Sequence, residues 1–291
     1  MIVTILYILL AILAVAFSSV LFTTARTRGE LRPTLESIGL GAVTNFFDTL
    51  GIGSFATSTA WIKLRRLVPD SFIPATLNAG HCLPTFVQAF IFIKLVEVDP
   101  ILLAACIAAA VAGSIVGAPI VVRLPVRVVQ GVVGVALLIA ASLYALTNLG
   151  MMPAGGDALA LAAAPLAIAV FGHFVMGTLM TFGIGLYAPS LILLSLLGLN
   201  PIAAFPIMMG ACAFLMPVCG IGFIRAERIN LRVVIGLGLG GMPLVLVAAF
   251  LVKSLSLETL RWGVVVVVIY AAILLLRSAF QNEKSPLGDT T

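Results

Sequence analysis

Asn45-Phe46-Phe47-Asp48-Thr49-Leu50-Gly51-Ile52-Gly53-Ser54-Phe55 sits inside a long apolar segment, and its reading decides the fold. A second Gly-Ile-Gly step stands in Thr181-Phe182-Gly183-Ile184-Gly185-Leu186-Tyr187, again among apolar residues. Glycine loosens a helix and lets other atoms reach the backbone. Within lipid, main chain that leaves the helix is tolerated only where protein covers it or where it lines a cavity. A pair of broken helices at corresponding points of two halves is the sequence pointer to a transporter binding site.

Composition supports a membrane setting for both breaks. The 291 residues are 62% hydrophobic and only 9% charged, against about 25% charged in a soluble domain. No stretch is polar enough to be a soluble domain. The apolar runs are long and continuous, unlike the short alternating segments of a membrane barrel. The expectation is an all-α polytopic membrane protein. The net charge of +5 comes from basic residues in short loops, which is a topology signal and not a nucleic-acid surface. The four cysteines, Cys82, Cys106, Cys212 and Cys219, lie in apolar runs without CxxC spacing. They read as small apolar packing residues, and no metal or cofactor is expected.

Spans need about 20 apolar residues each. They are read at Ile2–Thr23, Phe72–Ile93, Ile101–Val122, Val128–Thr147, Pro201–Ile224, Val233–Val252 and Leu260–Leu276, with Gly-broken segments at Ser37–Ile62 and Ala158–Leu197. If all nine segments cross, the basic residues divide 9 to 7 between the faces. If both broken segments enter and leave by one face, 13 of 16 fall on one side, leaving only Lys94, Lys253 and Arg261 on the other. Basic loops favour the cytoplasm, so the second scheme is preferred: about seven spanning helices plus two re-entrant helical hairpins. The N-terminus is then outside and the C-terminus cytoplasmic, in a bacterial-type plasma (inner) membrane. A first leg at Ser37–Phe47 would reach about mid-depth.

The halves repeat. Gly51-Ile-Gly53 matches Gly183-Ile-Gly185 at an offset of 132, Gly80-His-Cys82 matches Gly210-Ala-Cys212 at 130, and Gly131-Val-Val matches Gly263-Val-Val at 132. A hairpin plus three spans is an odd number of crossings, so the second copy enters from the opposite face, giving two inverted structural repeats. The chain divides into an N-terminal helix and basic loop (1–34), repeat 1 (35–148), a connecting loop (149–157), repeat 2 (158–280) and a polar tail (281–291).

Asp48 is the acidic residue placed deep in the apolar region, where an ionisable group faces a cavity or a partner. It reads as a site residue or proton acceptor, and equally as a cap for the second half-helix. Thr49, Gly51, Ile52, Gly53 and Ser54 open that half-helix, whose unpaired N–H groups and positive dipole end favour an anion. Thr181, Gly183, Ile184 and Gly185 offer the same from the other face. Asn78, Gly80 and His81 form a polar step in the next span, with Asn78 and His81 on one helix face. His81 is a second proton-coupling candidate, or an interhelical hydrogen bond. Gln88 and His173 read mainly as structural, and Gly113 as a close helix contact. Cys82 and Cys212, at matching repeat positions, are a minor candidate for contact with a soft sulfur substrate.

NFFDTLGIGSF, followed by TLNAGH, resembles the TauE/SafE sulfite-exporter family, also called the toluene-sulfonate uptake permease family, over nearly the whole chain. The resemblance implies a permease for small sulfur-containing anions or organic acids, such as sulfite, sulfonates and sulfoacetate. It carries over Asp48, Gly51, Gly53, Ser54, Gly183 and Gly185 as site-lining positions. Many members have a richer glycine run at the first break; here it reads GIGS, and GIGLY at the second has no serine.

The expected function is therefore alternating-access transport of a small anion at a midplane site. Its partners are that anion, the bilayer and a coupling proton, with no nucleic acid and homodimerisation left open. The rivals are an anion channel and an intramembrane hydrolase using Ser54 and His81.

Overall fold

The structure, a computed structural model, describes residues 1–51, 53–69, 72–121, 156–227 and 229–254, with isolated positions between 135 and 151 and between 266 and 277. The helices are α1 (Ile2–Thr27), α2 (Leu35–Thr49), α3 (Phe55–Arg65), α4 (Ile73–Gly80), α5 (Cys82–Leu95), α6 (Pro100–Val121), α7 (Ala163–Met180), α8 (Tyr187–Leu196), α9 (Ala204–Arg225) and α10 (Leu231–Ser254). No strand occurs among the described residues; one isolated bridge joins Ala158 and Leu199. The spans expected at Val128–Thr147 and Leu260–Leu276 lie outside the described residues apart from those isolated positions, and the polar tail lies outside them altogether.

Five stretches are long and apolar enough to cross a membrane: Ile2–Thr27, Ile73–Leu95, Ala163–Met180, Ala204–Arg225 and Leu231–Leu251. Their outward faces are apolar too. Ile8, Ile12 and Val15 of α1, Phe171 of α7 and Phe250 of α10 are all exposed. Water disfavours apolar surface on that scale, whereas lipid does not, so this is a membrane-embedded helical protein. The interior is filled by large side chains such as Phe17, Leu77, Leu191 and Phe205.

The helix boundaries follow from local chemistry. Thr34 caps α2 by accepting the Ser37 N–H at 3.2 Å, satisfying one orphan donor of the first turn. The α2–α3 break takes left-handed backbone at Gly51 (φ +92°) and Gly53 (φ +84°), and the α7–α8 break does so at Gly183 (φ +82°), conformations that cost a side-chain-bearing residue. The interruption between α4 and α5 at His81 has a different cause. Pro84 has no N–H to donate to the Gly80 carbonyl, and a proline ring crowds the carbonyl four residues before it in a regular helix.

Each broken pair doubles back. Glu36 at the start of α2 accepts from Arg65 Nε (2.8 Å) and Trp61 Nε1 (3.1 Å) near the end of α3. Ala158 before α7 accepts the Asn200 N–H beyond α8 at 2.8 Å. The two bases lie at opposite ends of the bundle. At one end, near the α2–α3 base, Arg28 donates to the Ile224 carbonyl and to Glu227, and Glu30 accepts the Leu231 N–H. At the other end, Asp99 donates its N–H to Leu159 at 2.9 Å.

Two helix pairs approach to backbone distance. A methyl group on Gly41 or Gly240 would overlap the main chain of Leu237 or Ile38, joining α2 to α10. One on Gly113 or Gly177 would overlap that of Phe174 or Ala110, joining α6 to α7. Small residues let membrane helices pack this closely.

Candidate functional site

The two breaks meet. A Cβ on Gly53 would lie 3.9 Å from Tyr187 Cβ, and one on Gly185 would lie 3.5 Å from Phe55 Cβ. Tyr187 and Phe55 are the first residues of α8 and α3. Each break therefore packs against the opening residue of the other's second leg. Between them lies a narrow crevice lined by Asp48, Gly53, Ser54, Phe55, Thr85, Met180, Gly185, Leu186, Tyr187, Cys212 and Met216. The space in it that the centre of a water molecule can reach is about 10 Å³, about enough for one water.

Asp48 organises the first break. One carboxylate oxygen accepts the Ser54 N–H, six residues on. The other accepts Gln88 Nε2 at 2.9 Å, and the same amide lies 2.8 Å from Thr49 Oγ1. Gln88 Oε1 accepts the Tyr187 hydroxyl proton at 2.5 Å. A hydrogen-bonded chain thus runs from the first break through α5 to the second, with every member buried. Buried polar groups are stable only when paired, and this chain pairs both carboxylate oxygens. Asp48 lies in the last turn of α2, so the N-cap position of α3 falls to Ser54 and not to Asp48. Asp48 instead bridges the break through the Ser54 N–H and lines the crevice.

The N–H of Ser54 is consumed by Asp48. The next N–H groups of α3, and those of Tyr187 and Ala188 in α8, belong to first turns that have no partner within the helix. Pro189 at the third position of α8 contributes none. Both positive helix ends point into the region of the crevice, while no lysine or arginine is among its lining residues.

His81 is held elsewhere. Nδ1 lies 3.1 Å from Asn45 Oδ1 and Nε2 lies 2.9 Å from Ser58 Oγ. Asn45 Nδ2 already donates to the Gly41 carbonyl, so Asn45 Oδ1 accepts from Nδ1–H, and Nε2 takes the Ser58 hydroxyl proton. His173 repeats the arrangement: Nδ1 lies 2.8 Å from the Ala169 carbonyl and Nε2 lies 2.9 Å from Ser190 Oγ. Both histidines pin the second leg of a broken pair.

The expected residues therefore divide. Asp48, Gly53, Ser54 and Gly185 line the crevice. Thr49 supports it through Gln88. Gly51 packs on Leu191 and Phe205, Gly183 on Leu77 and Pro74, and Gly80 on Leu237. Ile184 is buried in the core, and Thr181 bonds back to Thr178. Ile52 lies outside the described residues. Asn78 donates to the Pro74 and Met180 carbonyls, and its side-chain oxygen has no hydrogen-bond partner among the described residues. Asn78 and His81 thus bond to different partners, those of His81 being Asn45 and Ser58. Only Cys212 of the cysteine pair reaches the crevice.

Thr85, Phe55, Tyr187 and the sulfur residues Met180 and Met216 were not singled out from sequence. Phe55 and Tyr187 did carry a signal, since they stand at the repeat offset of 132. The chain matches no protein-family model, no curated protein and no solved structure.

Proposed function

We propose that the chain is a secondary transporter, a permease for a small anion, with a sulfur-containing oxyanion or organosulfonate as the favoured substrate class. The observation carrying this reading is the reciprocal packing of the two helix breaks around one crevice, with Gly53 on Tyr187 and Gly185 on Phe55. In this reading the bundle holds about seven spans and two re-entrant hairpins in two inverted repeats. The bases of the two broken pairs at opposite ends of the bundle support that arrangement. The pairing of α2 with α10 and of α7 with α6 supports it too, because it exchanges corresponding elements of the two halves. The membrane is a bacterial-type inner membrane, with the N-terminus outside. The resemblance to TauE/SafE permeases adds the substrate class.

At 15 and 18 residues, α2 and α7 are longer than mid-depth legs need to be. Together they span about 49 Å, more than the 40–45 Å of a bilayer with headgroups. The legs therefore tilt, and the breaks overlap side by side.

The anion is held by amides at the two helix ends. Asp48 in the same crevice sets the coupling. Two like charges about 4 Å apart repel by roughly 4 kcal/mol at an effective dielectric of 20, so the anion enters with a proton on Asp48. His81, engaged on both ring nitrogens, serves as a clamp. The serine bonded to His81 is Ser58 and not Ser54, which gives no support to the particular Ser54–His81 couple of the hydrolase alternative.

The test is a thermal-shift series with sulfite, thiosulfate, sulfonates and small carboxylates, followed by uptake into proteoliposomes. A ligand at 100 times its Kd stabilises by about 2.7 kcal/mol. The reading predicts a stabilising anion and uptake that rises with an inward proton gradient. Absence of any stabilising anion together with absence of uptake would sink the transport reading. Uptake indifferent to the pH gradient would sink the proton coupling alone.

A further inference from the structure

Three sulfur-bearing side chains, Met180, Cys212 and Met216, line the crevice, and holding an oxyanion on helix ends needs none of them. Cys212 and Met216 stand four apart on α9 and so share a face, and both line the crevice. Met180 is the last residue of α7, which sets its thioether at the second break. The Cys212 thiol points at Met180 Sδ, 3.6 Å away. Asp48 lines the same space.

We propose that Cys212, Met180 and Met216 form a binding site for one soft monovalent cation, copper(I) or silver(I), between the α7–α8 break and α9. The donor set carries the selectivity. Thiolate and thioether sulfurs select soft ions such as copper(I), whereas magnesium and calcium require oxygen ligands. Taking the zinc–thiolate length of about 2.3 Å as a scale, one ion bridges sulfurs up to about 4.6 Å apart. The Cys212–Met180 pair is already inside that span.

Charge balance points the same way. On binding, the Cys212 S–H bond breaks, an S–metal bond forms and the proton leaves to bulk water. No electron is transferred. A monovalent ion replacing that proton leaves the net charge of the buried site unchanged, and discrimination against hard divalent ions rests on the sulfur donors. Among the described residues no three His, Cys, Asp or Glu side chains stand together as a metal site; two of the three donors here are methionines, which carry no spacing signature in the sequence.

The proposal is independent of the transport reading, and its test reads binding directly. The purified full chain competes for copper(I) with a chromophoric copper(I) chelator, and silver(I) serves as the redox-inert probe. A protein keeping Cys212 alone (Cys82→Ser, Cys106→Ser, Cys219→Ser) is expected to hold one ion per chain. Cys212→Ser is expected to weaken affinity by more than about 100-fold, beyond the range for losing an outer-shell partner. Met216→Leu, which nearly conserves volume, is expected to weaken it by about 10-fold while keeping the native melting temperature. Native affinity in both Cys212→Ser and Met216→Leu would overturn the site. So would a folded Cys212-only protein that releases all its metal to the chelator.

Discussion

Tyr187 donates its hydroxyl proton to Gln88 Oε1 across 99 residues of sequence, and Gln88 passes the link to Asp48. One side chain on α5 thereby fixes the two helix breaks relative to each other.

Removing the phenol should expose the value of that link. Tyr187→Phe leaves Gln88 Oε1 buried without a donor, and a loss of about 1–3 kcal/mol is expected. Gln88→Leu removes the middle of the chain and orphans both neighbours. The double variant should lose less than the two singles added, by about 0.5–3 kcal/mol. Thermal unfolding of the four proteins in one detergent measures the coupling; strictly additive losses would mean that the link carries no energy.

Asp48→Asn sets two amide donors against each other, because Gln88 Nε2 already points at the carboxylate. Turning the Gln88 amide over would break its bond with Tyr187. The expected cost is again about 1–3 kcal/mol. Exchanging the roles with Asp48→Asn and Gln88→Glu together gives Tyr187 and the new amide an acceptor each, and should restore part of the loss. A double variant less stable than Asp48→Asn alone would contradict this arrangement.

The left-handed glycines and the close-packed ones should respond differently. Gly51→Ala and Gly183→Ala force φ values of +92° and +82° on an alanine, at about 1–3 kcal/mol each. Gly113→Ala drives a methyl group into the Phe174 main chain, so α6 and α7 must separate, at a cost of about 1–3 kcal/mol or more. Gly222→Ala, with open space around it, is the matched control and should melt as the native protein does.

The base of the first broken pair should report acid. The hydrogen bond from Arg65 holds the Glu36 carboxyl below its ordinary value of 4.5. A carboxylate lowered in the folded state stabilises above the ordinary carboxylate range, and that contribution is lost as pH falls through the lowered value. Trp61 also donates to Glu36, so its fluorescence in a Trp262→Phe background should change over that acidic window. Glu36→Gln should abolish the transition. A transition that persists in Glu36→Gln would assign it to another group.

Sidedness gives the remaining prediction. Arg32→Cys and Lys63→Cys, in a protein stripped of its native cysteines, should both be labelled by a membrane-impermeant thiol reagent from one side. Lys94→Cys should react only from the other. Opposite labelling of positions 32 and 63 would mean that α2 and α3 together cross the bilayer.

Much of the architecture is readable along the chain because its signals are local. The glycine steps at 51–53 and 183–185 mark the points where the helix is interrupted between α2 and α3 and between α7 and α8. That inference needs only neighbours in sequence. The contents of the crevice are not readable that way. In α6, α7 and α9 nearly every position is apolar, so no polar face tells which side turns inward. The assembled bundle brings His81 to Asn45 and Ser58, Gln88 to Asp48, and Cys212 to Met180. Such pairings depend on the angles at which apolar helices pack. In lipid those angles follow from the fit of side chains between neighbouring helices, a property of the assembled bundle that no single segment encodes.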